Sequence, residues 1–116
     1  MNATRRLRAE CQMDVPMLRR KAVATRLRRA LRNRCEQAFL FGSLARDEHT
    51  LHSDIDLCVV ANTRAPFAER FRDFLDVVQA FAPMDLVVLT PSEFQSLQRA
   101  ADIFWRQVMK HRFRVI

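Results

Sequence analysis

The segment Ala38-Phe39-Leu40-Phe41-Gly42-Ser43, followed after ten intervening residues by Asp54-Ile55-Asp56, decides how this chain is read. Gly42 is the only glycine among 116 residues. Average usage of about 7% would give several. Its retention points to a need that only glycine meets, a positive φ or close backbone approach to a ligand. Asp54 and Asp56 open an apolar run, and alternate residues of a strand share a face. Both carboxylates therefore aim at one spot. Side by side they repel, and they stay ionised when a cation sits between them. Mg²⁺ suits such a pair, because it takes one or two carboxylates and shares its other positions with water and substrate phosphates. The turn at Gly42-Ser43 would then hold phosphate oxygens with its N–H groups and the Ser43 hydroxyl. A plain turn before a strand with an acidic start is the competing reading, and the fixed combination of all four residues favours a site.

Working outward, Asp14 is a candidate N-cap for a helix reaching Arg34. Leu18, Ala22, Val23, Leu27, Ala30 and Leu31 form its apolar stripe. Its arginine-rich remainder reads as a solvated face rather than a nucleic-acid patch, so direct nucleic-acid binding is not expected. Ala38–Phe41 is a short strand, and residues 43–52 form a polar loop or short helix. In the strand from Asp54 to Ala61, Ile55, Leu57 and Val59 face the core, and Asp54, Asp56 and Cys58 face the other way. Pro66 opens a second helix that Pro83 stops. Its Phe67, Phe71, Phe74, Leu75, Val78 and Phe81 recur at helical spacing and are expected to pack in the core. Met84–Leu89 is a third strand. Thr90-Pro91-Ser92-Glu93 is a capping box that starts a third helix carrying Phe94, Leu97, Ala101, Phe104 or Trp105, and Val108. Residues 113–116 form a short final strand.

The length fits one domain, expected over residues 14–116 after a flexible stretch at 1–13. The net charge is +7, and Lys21 and Lys110 are the only lysines among 20 basic residues. Such a charge suits an acidic or phosphate-rich partner, and a GC-rich genome would write the same arginines. No apolar run approaches the roughly 20 residues of a membrane helix, and no secretory signal is evident. Cys11, Cys35 and Cys58 lack metal or redox spacing and read as reduced thiols of a cytoplasmic protein.

Asp85 heads an otherwise apolar strand at the position that Asp54 and Asp56 occupy in theirs. If the two strands are neighbours, three carboxylates converge beside a phosphate-holding turn, as two-metal phosphoryl or nucleotidyl transfer requires. The alternative is an acid exposed at a strand edge.

These residues resemble the signature of the polymerase-β-type nucleotidyltransferases. Gly42-Ser43-Leu44-Ala45-Arg46 and Ser53-Asp54-Ile55-Asp56-Leu57 resemble in particular the minimal nucleotidyltransferase (MNT) branch. The resemblance covers about residues 15–116. It implies an α/β (α+β) fold, a small mixed sheet with helices packed on one face. It implies a site for ATP and Mg²⁺, two ions in all. Asp54, Asp56 and Asp85 would be the metal-binding and catalytic acids, Asp85 activating the acceptor, and Gly42, Ser43 and Arg46 would bind the nucleotide. Many stand-alone members are antitoxins of HEPN-type toxins, and some transfer AMP to a tyrosine of the toxin. The absence of tyrosine here fits an acceptor on another chain. Two positions depart from the family: Asp47 stands where glycine often follows the motif arginine, and His111-Arg112 where glycine often precedes the last strand. The first departure would bring negative charge near the triphosphate.

Arg46 reads equally as a phosphate contact or a surface arginine. His49 and His52 are taken as solvated, and Cys58 as a packed thiol. The leading expectation is an AMP-transferring antitoxin. A non-catalytic module that neutralises its partner by occlusion is the alternative. A small-molecule nucleotidyltransferase or a polymerase would need a further domain.

Overall fold

The computed structural model describes residues 20–48, 54–99 and 102–116. The expectations for residues 1–13, Asp14, Leu18, His49, His52, Ser53 and Ala101 lie outside that range. Four strands form one mixed sheet: β1 (Gln37–Phe41), β2 (Ile55–Val60), β3 (Met84–Leu89) and β4 (Phe113–Arg114). The spatial order is β3-β2-β1-β4. β1 is antiparallel to β2 and β4, and β2 is parallel to β3. β2 is central and covered on both faces, so Leu57 to Val60 are all buried. That explains why its acidic start gives way to an uninterrupted apolar run.

One face of the sheet carries Ala38, Leu40, Ile55, Leu57, Val59 and Val88. Helix α1 (Arg20–Leu31) lays Val23, Ala24, Leu27 and Leu31 on it, joined by Leu44, Phe74 and Val77. The helical layer expected on one face is therefore present. The opposite face is also covered, but only in part. There Phe39, Cys58, Val60 and Leu89 meet Phe94 of α4 (Pro91–Arg99) and Val108 of α5 (Ile103–His111). The acidic end of that face lies beyond this second cluster: Asp56 is half-buried, and Asp54 and Asp85 are exposed.

Three helices differ from their expected form. α1 ends at Leu31, not Arg34, because Asn33 turns left-handed (φ 62°) and the Arg34 N–H returns to the Leu31 carbonyl at 3.0 Å. The third helix divides into α4 and α5, and Asp102 caps the second piece by accepting from the Trp105 N–H at 3.3 Å. The second helix divides into a 3-10 helix (Phe67–Phe74) and α3 (Leu75–Ala80). Winding at three residues per turn changes which side chains face inward. Phe74 is buried as expected and Phe81 partly so, but Val77 is buried in place of the expected Val78, and Phe67, Phe71 and Leu75 are 60%, 41% and 41% exposed. Arg70 takes the inward place instead, at 8%.

Arg70 can be buried because four of its five guanidinium N–H groups are bonded. Nε donates to the Ala65 carbonyl at 2.9 Å. Nη1 donates to the Val88 carbonyl at 3.1 Å and to Glu93 Oε1 at 2.6 Å, and Nη2 donates to Glu93 Oε2 at 3.2 Å. Glu93 also closes the expected capping box: Oε1 accepts from the Thr90 N–H at 2.9 Å, and the Glu93 N–H donates to Thr90 Oγ1 at 3.2 Å. The bond from Arg70, followed by that from Thr90, holds the Glu93 carboxyl below its ordinary value.

The arginines around α1 are less solvated than expected. Arg20 Nη1 donates to the Ala45 carbonyl at 2.7 Å, and Arg28 Nε to the Val115 carbonyl at 2.8 Å. Arg34 forks onto Asp76 at 2.8 and 2.9 Å. Arg26 stacks over Phe81, and among the described residues exposed Lys21, Arg29 and Arg32 keep the solvated character of the face. Among the described residues, no helix is long and apolar enough to cross a membrane.

Arg70→Met keeps the stem and removes the fork. It should lower stability by about 2–3 kcal/mol, because Glu93 and the Val88 carbonyl lose a charged donor. Urea unfolding measures the loss, and Arg70→Lys should recover only part of it, since an ammonium cannot make the forked contact.

Candidate active site

β1 ends at Phe41, directly opposite Asp56 on β2. The chain must turn there without striking that carboxylate. Gly42 allows it in two ways. Its φ is 70°, and a Cβ built on it would collide with Asp56 Oδ2 and lie 3.1 Å from Asp56 Cγ. Positive φ and close approach, the two needs inferred for the lone glycine, meet at one residue. A single turn, α2 (Gly42–Ala45), follows. Leu44 and Ala45 are buried and fix it to the core, while Ser43 stays half-buried. The Ser43 carbonyl accepts from the Glu48 N–H at 2.8 Å, which folds the loop back over the turn. Asp47, at the position where the family often has glycine, has φ 62°.

The parallel register of β2 and β3 sets Asp56 opposite Asp85. Paired residues of neighbouring strands share a face, so the two carboxylates stand side by side. Asp54 immediately precedes β2. Burial above all, then Asp85 and Asp54, raise Asp56 to about 6, and Arg46 opposes them. Asp85 itself is exposed at the edge of the sheet, as the competing reading of that residue held. Its neighbour on β2 is nevertheless the other acid.

Among the described residues, no group of three or more His, Cys, Asp or Glu side chains is placed to hold a metal ion. The donor set still fits a hard cation of low protein coordination. One half-buried carboxylate, crowded by two more, gains most from a cation that keeps positions for water and phosphate. Asp56, with Asp54 or Asp85 beside it, would supply the protein's share of its ligands.

Arg46 follows α2, is exposed, and pairs with Glu48 at 3.1 Å. It also lines a shallow cavity of about 420 Å³ with Arg20, Ala45, Glu48, Lys110, His111 and Arg112. Five of these seven residues are basic types, and one is acidic. The sequence reading missed this basic pocket, because its members come from the start of α1, the end of α2 and the end of α5. Lys110-His111-Arg112 stood out only as a replacement for a glycine. Cys58, one strand repeat inward from Asp56, is buried, and burial lifts its thiol to about 12, so it is a packing residue.

The family model described as "Nucleotidyltransferase domain" matches residues 21–112. A solved structure described as "Crystal structure of the toxin-antitoxin with AMP-PNP" is similar in fold, with a TM-score of 0.54 and 20% identity. The match covers 80% of this chain and 72% of that one. A comparison with curated proteins gives no match.

The Asp56 shift has a definite sign. Its folded value lies above the ordinary one, so the metal-free native protein binds the extra proton and loses stability as pH rises from about 4 to 6. Asp56→Asn should therefore raise the thermal midpoint at pH 7.5, and the gain should largely vanish near pH 4. Added Mg²⁺ should raise the midpoint of the wild type and leave that of the variant unchanged. Gly42→Val should abolish Mg²⁺-ATP binding measured by calorimetry, because the new side chain displaces the Asp56 carboxylate.

Proposed function

The chain belongs to the nucleotidyltransferase domain family, and on that premise we propose that it transfers AMP from Mg²⁺-ATP to a hydroxyl of a partner protein, a HEPN-type toxin, and so acts as a cytoplasmic antitoxin. The observation that carries the reading is the pair Asp56 and Asp85 in register, with Gly42 pressed against Asp56. The fold similarity to a toxin-antitoxin structure with AMP-PNP supports a nucleotide substrate and a protein partner. With no tyrosine in this chain, a tyrosine acceptor would belong to the partner.

Each residue then has a role set by its place. Asp54 and Asp56 would hold Mg²⁺. Bound there, the metal neutralises phosphate charge and lowers the pKa of the attacking hydroxyl. The α2 turn offers the Ser43 hydroxyl and backbone N–H groups to phosphate oxygens. Arg46 draws the distal phosphates toward the basic pocket. Asp85, exposed beside Asp56, meets the incoming acceptor and orients its hydroxyl. The acceptor oxygen forms a bond to the α-phosphorus as the bond to the β-phosphate bridging oxygen breaks. The acceptor proton passes to the Asp85 carboxylate, and pyrophosphate leaves. At pH 7 Asp56 is mostly ionised, which suits cation binding.

The test uses α-labelled ATP with the protein encoded by the adjoining gene. Wild type should label that protein only when Mg²⁺ is present. The Asp54→Ala, Asp56→Ala double variant should label it at least 100-fold more slowly, and labelling at the wild-type rate would sink the proposal.

A further inference from the structure

β3 is an edge strand, and its backbone is used unevenly. The Pro83 and Leu89 carbonyls accept from Ile55 and Ala61 beside β2, so the odd-numbered residues of β3 bond inward. Met84, Leu86 and Val88 therefore direct their N–H and carbonyl groups away from the sheet. The Val88 carbonyl is occupied by Arg70. Outside the ladder to β2, no hydrogen bond of the Met84 or Leu86 backbone is found among the described residues. The open part of this edge flanks Asp85, and the closed part lies farther along the strand.

We propose that an extended segment of the partner protein pairs antiparallel with Met84 and Leu86 and thereby presents its acceptor hydroxyl to Asp85. The inference rests on the adenylyl-transfer reading above and names how the acceptor enters. Met84 and Leu86 would each exchange hydrogen bonds with the residue opposite. The partner residue facing Asp85 would then occupy a non-hydrogen-bonded pair, where side chains come closest, with Cα atoms about 4.5 Å apart. Its side chain would lie on the face of Asp85 and Asp56, so the pairing register selects which hydroxyl reacts. Strand addition of this kind draws affinity from the main chain and specificity from alternate side chains. The partner residues flanking the acceptor would stand opposite Met84 and Leu86, which are partly buried apolar side chains. The segment that fits is therefore a hydroxyl-bearing residue with apolar neighbours. Arg70 ends the pairing by filling the next carbonyl, which keeps the docked segment short and at the acids.

Two measurements on the complex with the adjoining gene's product test the edge. Amide hydrogen exchange should slow at least tenfold at Met84 and Leu86 when the partner is added, and unchanged exchange there would overturn the inference. Leu86→Pro removes one outward N–H, a change that an edge strand accepts. The variant should bind Mg²⁺-ATP as wild type does and label the partner at least tenfold more slowly. Undiminished labelling by the folded variant also overturns the inference. Absence of labelling by wild type counts against adenylyl transfer itself, and the exchange measurement then still decides whether the edge docks the partner.

Discussion

Two like charges are held face to face across one strand spacing, and the rest of the molecule makes that possible. Asp56 and Asp85 would separate if either strand could slip. Neither can, because the next residues of β2 are locked into two apolar clusters. A one-residue shift would exchange the faces of Leu57 and Cys58 and expose the core. The repulsion is local, whereas the packing that opposes it extends along the whole strand. Sites that strain against their own fold in this way are where function is commonly found.

The parts of this arrangement that depend on neighbouring residues were legible in the sequence. Alternation put Asp54 and Asp56 on the face opposite Ile55, Leu57 and Val59, and the lone glycine marked a turn with a positive φ and a close contact. The capping box at Thr90-Pro91-Ser92-Glu93 gave the start of α4. What depended on distant residues was not legible. Nothing local says that β3 is an edge strand, so the exposure of Asp85 stood only as one of two readings. The aromatic stripe from Phe67 assumed 3.6 residues per turn, and the 3-10 winding placed Arg70 inside in its stead. Asp102 did carry a signal, since an aspartate before Ile103-Phe104-Trp105 is a fair N-cap, but the helical pattern running through it hid the break.

The two departures from the family pattern read differently once the backbone is seen. Asp47 keeps the left-handed conformation for which glycine is the usual choice, and aspartate is among the few residues that adopt it at small cost. The position is therefore preserved as a backbone shape, and its charge points to solvent. After α5, Arg112 has φ −64° and ψ 149°, an extended conformation open to any residue. The chain reaches β4 without a left-handed step, so glycine has no task there.

The arginines of α1 bear on what the net charge of this protein means. Arg20 and Arg28 spend their N–H groups on main-chain oxygens of α2 and of the last strand segment, and Arg34 embraces Asp76 as a fork. These are joints of the framework, shaped by the planar guanidinium. A homologue with the same +7 written in lysine would carry the same charge at pH 7 and have a looser frame. In this chain the electrostatic sum and the mechanical role of the basic residues are separate quantities. Total charge is thus a poor guide to how much of the surface is left to attract a partner.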